Sequence, residues 1–204
     1  MTIELGALQA LRLRGRATVG DVGAATGAPA GEVGPALAEL TAAGHCEQAR
    51  DRYKLTRAGR DRLVELLAAE RATLDQGALA AAYDDFDAPN SAFKQLVTDW
   101  QLKDGATPND HTDAEYDAKI VHRLGELHEG FTPLLERLVG LAPRLAPYPE
   151  RFGSALARVR AGEHTWLARP MIDSYHTVWF ELHEDLIGLA GRSRAAEAAA
   201  GRAE

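Results

Sequence analysis

Glycines at positions 15, 27 and 44 cut the start of the chain into three short apolar stretches. Isolated helices of such length are marginal in water. They persist only by packing on one another, so the spacing dictates a small multi-helix head. Ile3, Leu5, Leu8, Leu11 and Leu13 give the first stretch a largely helical stripe that Gly15 stops. Thr18 is placed to cap a second helix, Val19 to Thr26, with Asp21 in the first turn, where the helix dipole favours an acid. Gly27 ends it. Pro29 falls where a first helical turn tolerates proline, and a third helix runs on to Ala43 with Val33, Leu37 and Leu40 inward and Gly44 beyond its end. His45 to Ala49 and Tyr53 to Leu55 then read as two short strands around the charged turn Arg50-Asp51-Arg52. Thr56 caps a longer helix that carries Leu63, Leu66 and Leu67.

Composition divides the chain near the end of that helix. At 204 residues there is room for one large or two small domains. Residues 1–75 hold ten Lys/Arg and ten Asp/Glu, so the net charge of -7 belongs wholly to residues 76–204. Of thirteen Phe, Trp and Tyr only Tyr53 precedes residue 80, and six of seven His follow it. A small, evenly charged module is therefore followed by an aromatic, His-bearing, acidic one. The same count excludes several classes. No apolar run approaches the eighteen or so residues of a membrane span, and no basic-then-apolar leader is present. The single cysteine, Cys46, excludes a disulfide framework and any multi-thiolate metal site, and it reads as a small buried residue. A soluble, cytoplasmic protein is expected.

The second module is wholly helical in pattern. Leu79, Ala82, Tyr83, Phe86, Phe93, Val97 and Trp100 form one stripe, on a single long helix or on two broken near Pro89, and Asn90 falls on it. Residues 103–111 read as a polar loop and Thr112-Asp113-Ala114-Glu115 as a capping box. The helix it opens carries Ile120, Val121, Leu124 and Leu127, is interrupted from Gly130 to Pro133, and continues through Leu134, Leu135, Leu138 and Val139. Pro143, Pro147 and Pro149 mark a rigid connection. A helix with Phe152, Leu156 and Val159 follows, ending at Gly162. The last strong helix, capped by Asp173 or Ser174, buries Tyr175, Val178, Trp179, Leu182, Leu186 and Leu189. His176, Phe180, His183 and Ile187 form a second stripe beside the first.

The head's order of helix, helix, Gly turn, helix, hairpin, helix resembles a winged helix-turn-helix. "TVGDVGAATGAPAGEVGPALAELTAAGHCE" resembles its two-helix reader and first wing strand; "RDRYKLTRAGRDRL" resembles the wing tip, the second strand and the Y-x-L-T-x-x-G start of the next helix. Residues 3–70 thus resemble the DNA-binding domain of MarR-like regulators. The resemblance implies a winged helix-turn-helix with a small β-hairpin wing over residues 1–72; the residue pattern adds an all-α bundle for dimerisation or effector binding over 73–190 and a flexible Ala/Arg/Glu tail over 191–204, a mostly α protein in all. It also implies double-stranded DNA as partner, a homodimer, and a small organic effector.

Residue chemistry qualifies that reading. Specific major-groove readout favours Arg or Lys on guanine and Asn or Gln on adenine. Residues 28–43 contain none of these; their only charges are Glu32 and Glu39, and Glu32 suits only cytosine. The wing compensates, since Arg50, Arg52 and Lys54 alternate. Arg12, Arg14, Arg16, Arg57 and Arg60 flank the head's helices. Arg16, Thr18, the helix-start amides of Ala30 and Gly31, Glu32, Arg50, Arg52, Lys54 and Arg57 are the candidate DNA contacts, mostly to phosphates. Asn90, Trp100, Tyr175, His176, Trp179 and His183 are the effector-pocket candidates. Asp173–His176 and His122–Glu126 have helical metal-pair spacing, but no third ligand is near in sequence, so no metal or cofactor is expected. No nucleophile elbow, phosphate loop or dinucleotide fingerprint occurs, and no catalytic residues are assigned. The reader's lack of basic residues leaves an alternative: a winged-helix protein-interaction or adaptor module.

Overall fold

A computed structural model of the chain describes residues 3–192; the tail expected beyond residue 192 lies outside them. The protein is mostly helical and divides into two compact units, Met1–Asp75 with Ala142–Pro147, and Gln76–Leu141 with Tyr148–Glu204.

The first unit is built on α1 (Ile3–Arg14), where Leu5 through Leu11 are buried without a break, so the helix is covered on all sides. Helices α2 (Val19–Thr26), α3 (Ala30–Ala42) and α4 (Arg57–Ala72) surround it. Their inward residues Val22, Val33, Leu37 and Leu63 join Leu8 and Leu11 in one core. The caps fall where the sequence places them. The Thr18 hydroxyl accepts from the Asp21 amide while Asp21 reaches back to the Thr18 amide, a reciprocal box. Thr56 caps α4. Pro29 differs from expectation: it is the N-cap of α3, with extended backbone, and lies outside the first helical turn. Gly44 has φ +76°, and the His45 amide bonds back to the Leu40 carbonyl, closing α3.

Strands β1 (Cys46–Ala49) and β2 (Arg52–Leu55) pair antiparallel, with Glu47 opposite Lys54 and Ala49 opposite Arg52. Ala17 adds a third, one-residue rung, exchanging both backbone bonds with Tyr53 at 3.0 and 2.8 Å. The hairpin is thereby tied to the α1–α2 connection. Gly59 explains the glycine of the Y-x-L-T-x-x-G stretch. A Cβ there would lie 1.9 Å from the His45 carbonyl oxygen, so α4 can approach the hairpin only with glycine at this place. Ala142–Pro147, which includes a short 3₁₀ turn at Pro143–Leu145, belongs to this unit; there the buried Arg144 donates to Glu70 at 3.0 Å.

In the second unit α5 (Gln76–Gln101) and α6 (Ala114–Leu141) pack along each other and α9 (Tyr175–Leu189) is largely enclosed, with α7 (Tyr148–Arg160) and the short α8 (Thr165–Ala168) beside it. Both long helices run through their prolines. Pro89 leaves the Asp85 carbonyl and Pro133 the Glu129 carbonyl without a helical donor, but Asp85 and Glu129 are exposed. A carbonyl on an exposed face can bond solvent as one inside a buried helix could not, so α6 runs on through 130–133 and the expected interruption does not occur. The helix-start signal also shifts by one residue. Asp113, not Thr112, accepts from the Tyr116 amide, because the Thr112 hydroxyl is bonded to Asp110. The polar 103–111 segment holds a two-rung ladder, β3 (Leu102–Lys103) with β4 (Thr107–Pro108). Ser174 caps α9, while Asp173 is taken by Arg151.

The core of this unit is aromatic. Trp179 packs against Phe93, Phe131 and Phe86 with ring centroids 4.5, 4.8 and 5.3 Å apart. Its indole N–H donates to Asn90 Oδ1 at 3.0 Å, so the polar residue on the α5 stripe is satisfied within the core. Arg151 is buried against Glu181 and Asp173, and Tyr148 donates to Asp185 at 2.6 Å. Among the described residues no helix is long and apolar enough to cross a membrane.

Candidate nucleic-acid interface

The hairpin divides its residues by face. Cys46, Tyr53 and Leu55 point inward, while Glu47, Gln48, Ala49 and Arg52 are exposed. A two-residue loop, Arg50-Asp51, joins the strands. Arg50 sits at φ +59°, in the left-handed region where glycine is the usual occupant of such a loop. Gln48 Nε2 donates to the Arg50 carbonyl at 2.9 Å and helps hold this conformation. An exposed cation at the hairpin turn is thus carried on strained backbone.

Register decides which positive charges remain available. Lys54 faces Glu47 across the ladder and forms an ion pair with it, so the expected basic strand face is partly neutralised. Arg62 is held by Glu4 in a two-bond fork at 2.8 and 3.2 Å, and that bond keeps the Glu4 carboxyl below its ordinary range. Arg12 donates to Gln9 and Arg14 to the Asp21 carbonyl. Among the described residues no carboxylate pairs with Arg16, Arg50, Arg52 or Arg57, and all four are exposed. A phosphate backbone could recruit these four, and Arg60, which among the described residues bonds only the Thr56 carbonyl, without first breaking an ion pair.

The outward face of α3 carries Gly31, Glu32, Pro35, Ala38, Glu39 and Ala42, all exposed. It offers no cation and no amide side chain. Ala30 and Gly31 stand at its exposed N-terminus, where backbone amides have no helical partner. The Thr18 hydroxyl is committed to its capping box. Cys46 is 3% exposed and desolvation pushes its thiol up to about 11, so it is protonated at neutral pH.

The effector-pocket candidates of the second unit fall into separate settings. Asn90, Tyr175 and Trp179 lie in the aromatic core. The Tyr175 hydroxyl lies 3.1 Å from His128 Nδ1, within hydrogen-bond distance, and burial raises the phenol well above its ordinary range. His183 meets the Tyr83 hydroxyl at 3.3 Å. His176 is exposed on α9 and stacks loosely on Phe93. Trp100 lies near the C-terminal end of α5, against His111 and His164. An open groove of about 350 Å³ lies elsewhere, lined by Asp85, Pro89, Gly130, Phe131, Pro133, Leu134 and Arg137. Its two prolines were visible in sequence only as helix breakers. Among the described residues no cluster of three or more His, Cys, Asp or Glu is arranged to hold a metal ion.

The chain matches no family model, no curated protein and no solved structure.

Proposed function

We propose that this protein is a DNA-binding transcriptional regulator whose head is a winged helix-turn-helix and whose second unit dimerises and receives a small organic effector. One observation carries the reading. The hairpin is tied to the α1–α2 connection by the Ala17–Tyr53 pair, and its tip presents Arg50 and Arg52 unpaired and exposed. With Arg16 and Arg57 they give a set of phosphate contacts, and the reader contributes shape and helix-start amides more than base-edge bonds. Binding of this kind is dominated by counterion release. A salt titration on random-sequence duplex DNA, followed by fluorescence anisotropy of the full chain, is the test. A log–log slope of about −3.6 per head is expected if all four arginines meet phosphates. Negligible affinity at low salt overturns the proposal.

A second reading has its own support. The exposed face of α3 is small-residued with two glutamates, which suits a protein surface better than a phosphate backbone. An adaptor of this kind would show no DNA affinity while keeping a dimer or a larger complex.

A further inference from the structure

Residues 100–117 hold a polar cluster that the DNA-binding reading does not use. Asp117, in the first turn of α6, is 2% exposed. Its carboxylate lies 3.0 and 3.2 Å from His111 Nδ1 and accepts from Asn109 Nδ2 at 2.9 Å. Asn109 Nδ2 also donates to the Trp100 carbonyl at 3.1 Å. Asn109 Nδ2 also stands 3.2 Å from His111 Nδ1, and a proton count favours one histidine tautomer. The two amide hydrogens of Asn109 are used by Trp100 and Asp117, and an ionised carboxylate only accepts. The proton between His111 and Asp117 therefore sits on Nδ1, and in the neutral ring Nε2 carries a bare lone pair.

That nitrogen is presented outward. The His111 side chain is 41% exposed, and Nε2 has no hydrogen-bond partner among the described residues. One ring face rests on Trp100, with centroids 4.4 Å apart. The backbone is left-handed at φ +57°, and the His111 amide donates to Asn109 Oδ1. The buried carboxylate holds the imidazole in one orientation through Nδ1.

Three uses suit such an imidazole. A metal ligand needs companions, and no suitable cluster exists among the described residues. A base for a neighbouring nucleophile needs a hydroxyl or thiol bonded to it, yet the nearby Thr112 hydroxyl is bonded to Asp110. The imidazole is left as the reacting group itself. Acyl-imidazoles hydrolyse quickly, whereas phosphoryl-imidazoles persist at neutral pH, so a lasting mark here is a phosphoryl group. Of the neighbouring carboxylates, Asp110 is engaged by Lys103 and Thr112 and Glu115 by Lys119, while Asp113 caps α6.

We propose that His111 Nε2 is a phosphoryl-acceptor site, charged by a donor of the acyl phosphate or phosphoramidate class. The Nε2 lone pair attacks phosphorus and forms the N–P bond. The P–O or P–N bond of the donor breaks, and its electron pair leaves with the carboxylate or amine. The Nδ1 proton stays with the ring, whose positive charge Asp117 balances. The site lies within the second unit and is independent of whether the head binds DNA.

The full-length protein is incubated with acetyl phosphate and, separately, with phosphoramidate. Acid-labile, alkali-stable phosphate is then assigned by peptide mass spectrometry and phosphorus NMR. His122 is the control in the same molecules, being 78% exposed with only Glu126 at 3.5 Å from Nε2. His111 is expected to label about tenfold or more faster than His122, and Asp117→Asn to remove most of that advantage. His111→Gln abolishes the fast phase. Equal rates at the two histidines, labelling of neither, or an unchanged rate in a folded Asp117→Asn variant overturns the proposal. The comparison with His122 in the unmodified chain stands even if Asp117→Asn does not fold.

Discussion

Arg50 combines strained backbone with an unpaired charge, and substitutions there pull stability and DNA affinity in opposite directions. A non-glycine residue held left-handed costs roughly 1–2 kcal/mol. Arg50→Gly releases that cost but returns part of it, about 0.5–1 kcal/mol, through the greater freedom of the unfolded chain. The net expectation is a gain of about 0.5–1 kcal/mol, a rise of roughly 1–4 °C if the unit melts with the rest of the chain. If the head binds DNA as proposed, the same change removes one phosphate contact, so the salt slope should flatten by about 0.9 and affinity should fall at low salt. Two further variants separate the effects. Arg50→Ala keeps the strained φ and loses the charge, so it should flatten the slope without the stability gain. Arg50→Lys keeps both strain and charge and should leave the slope near its original value. Urea unfolding and anisotropy titrations on the four proteins provide the measurements. A slope that does not change in the Gly and Ala variants would refute the assignment of the wing tip to DNA. Arg50→Gly no more stable than Arg50→Ala would refute the strain argument.

Three other perturbations follow from the geometry. Gly59→Ala would place a methyl 1.9 Å from a backbone oxygen. It should cost about 3 kcal/mol or more despite alanine's helix propensity, and a neutral urea midpoint would contradict the close approach. Burial, and then the charge of Arg160, lower the His128 pKa below the ordinary value of about 6.5. The unfolded chain then takes up a proton that the folded chain does not, so stability is full above pH 6.5 and falls as pH drops through it toward the lowered folded value. His128→Gln should flatten that part of the thermal-midpoint profile, and an unchanged profile would count against the buried neutral ring. Cys46, buried and protonated, should react with a disulfide reagent only as fast as the head opens, and rapid labelling of the native protein would contradict its packing.

Local physics was legible in the chain, and non-local pairing was not. The Thr18 and Thr56 caps, the Gly27 and Gly44 stops and the hairpin around Arg50 lie within a few residues of their partners, so spacing alone revealed them, whereas for the last helix it left Asp173 or Ser174 as the cap. The stripe that crosses Pro89 was visible too, but sequence left one helix or two. The prolines were resolved by exposure: where the orphaned carbonyl meets water the helix continues, and exposure is a property of the packed unit.

The candidate sites divide in the same way. The sequence by itself determined a neutral head with its arginines near a hairpin, an acidic aromatic second module, and a third helix without basic residues. Tertiary structure decided which charges are free. Lys54 is spent on Glu47 because strand register sets them opposite each other, and Arg62 is spent on Glu4 because α4 lies beside α1. It also separated Trp100 from the core aromatics and joined His111, Asn109 and the buried Asp117 through a left-handed turn. Capping and turn energies depend on neighbours along the chain. Ion pairing and tautomer choice depend on distances of a few ångströms between residues far apart or sharply turned, which only the folded backbone sets.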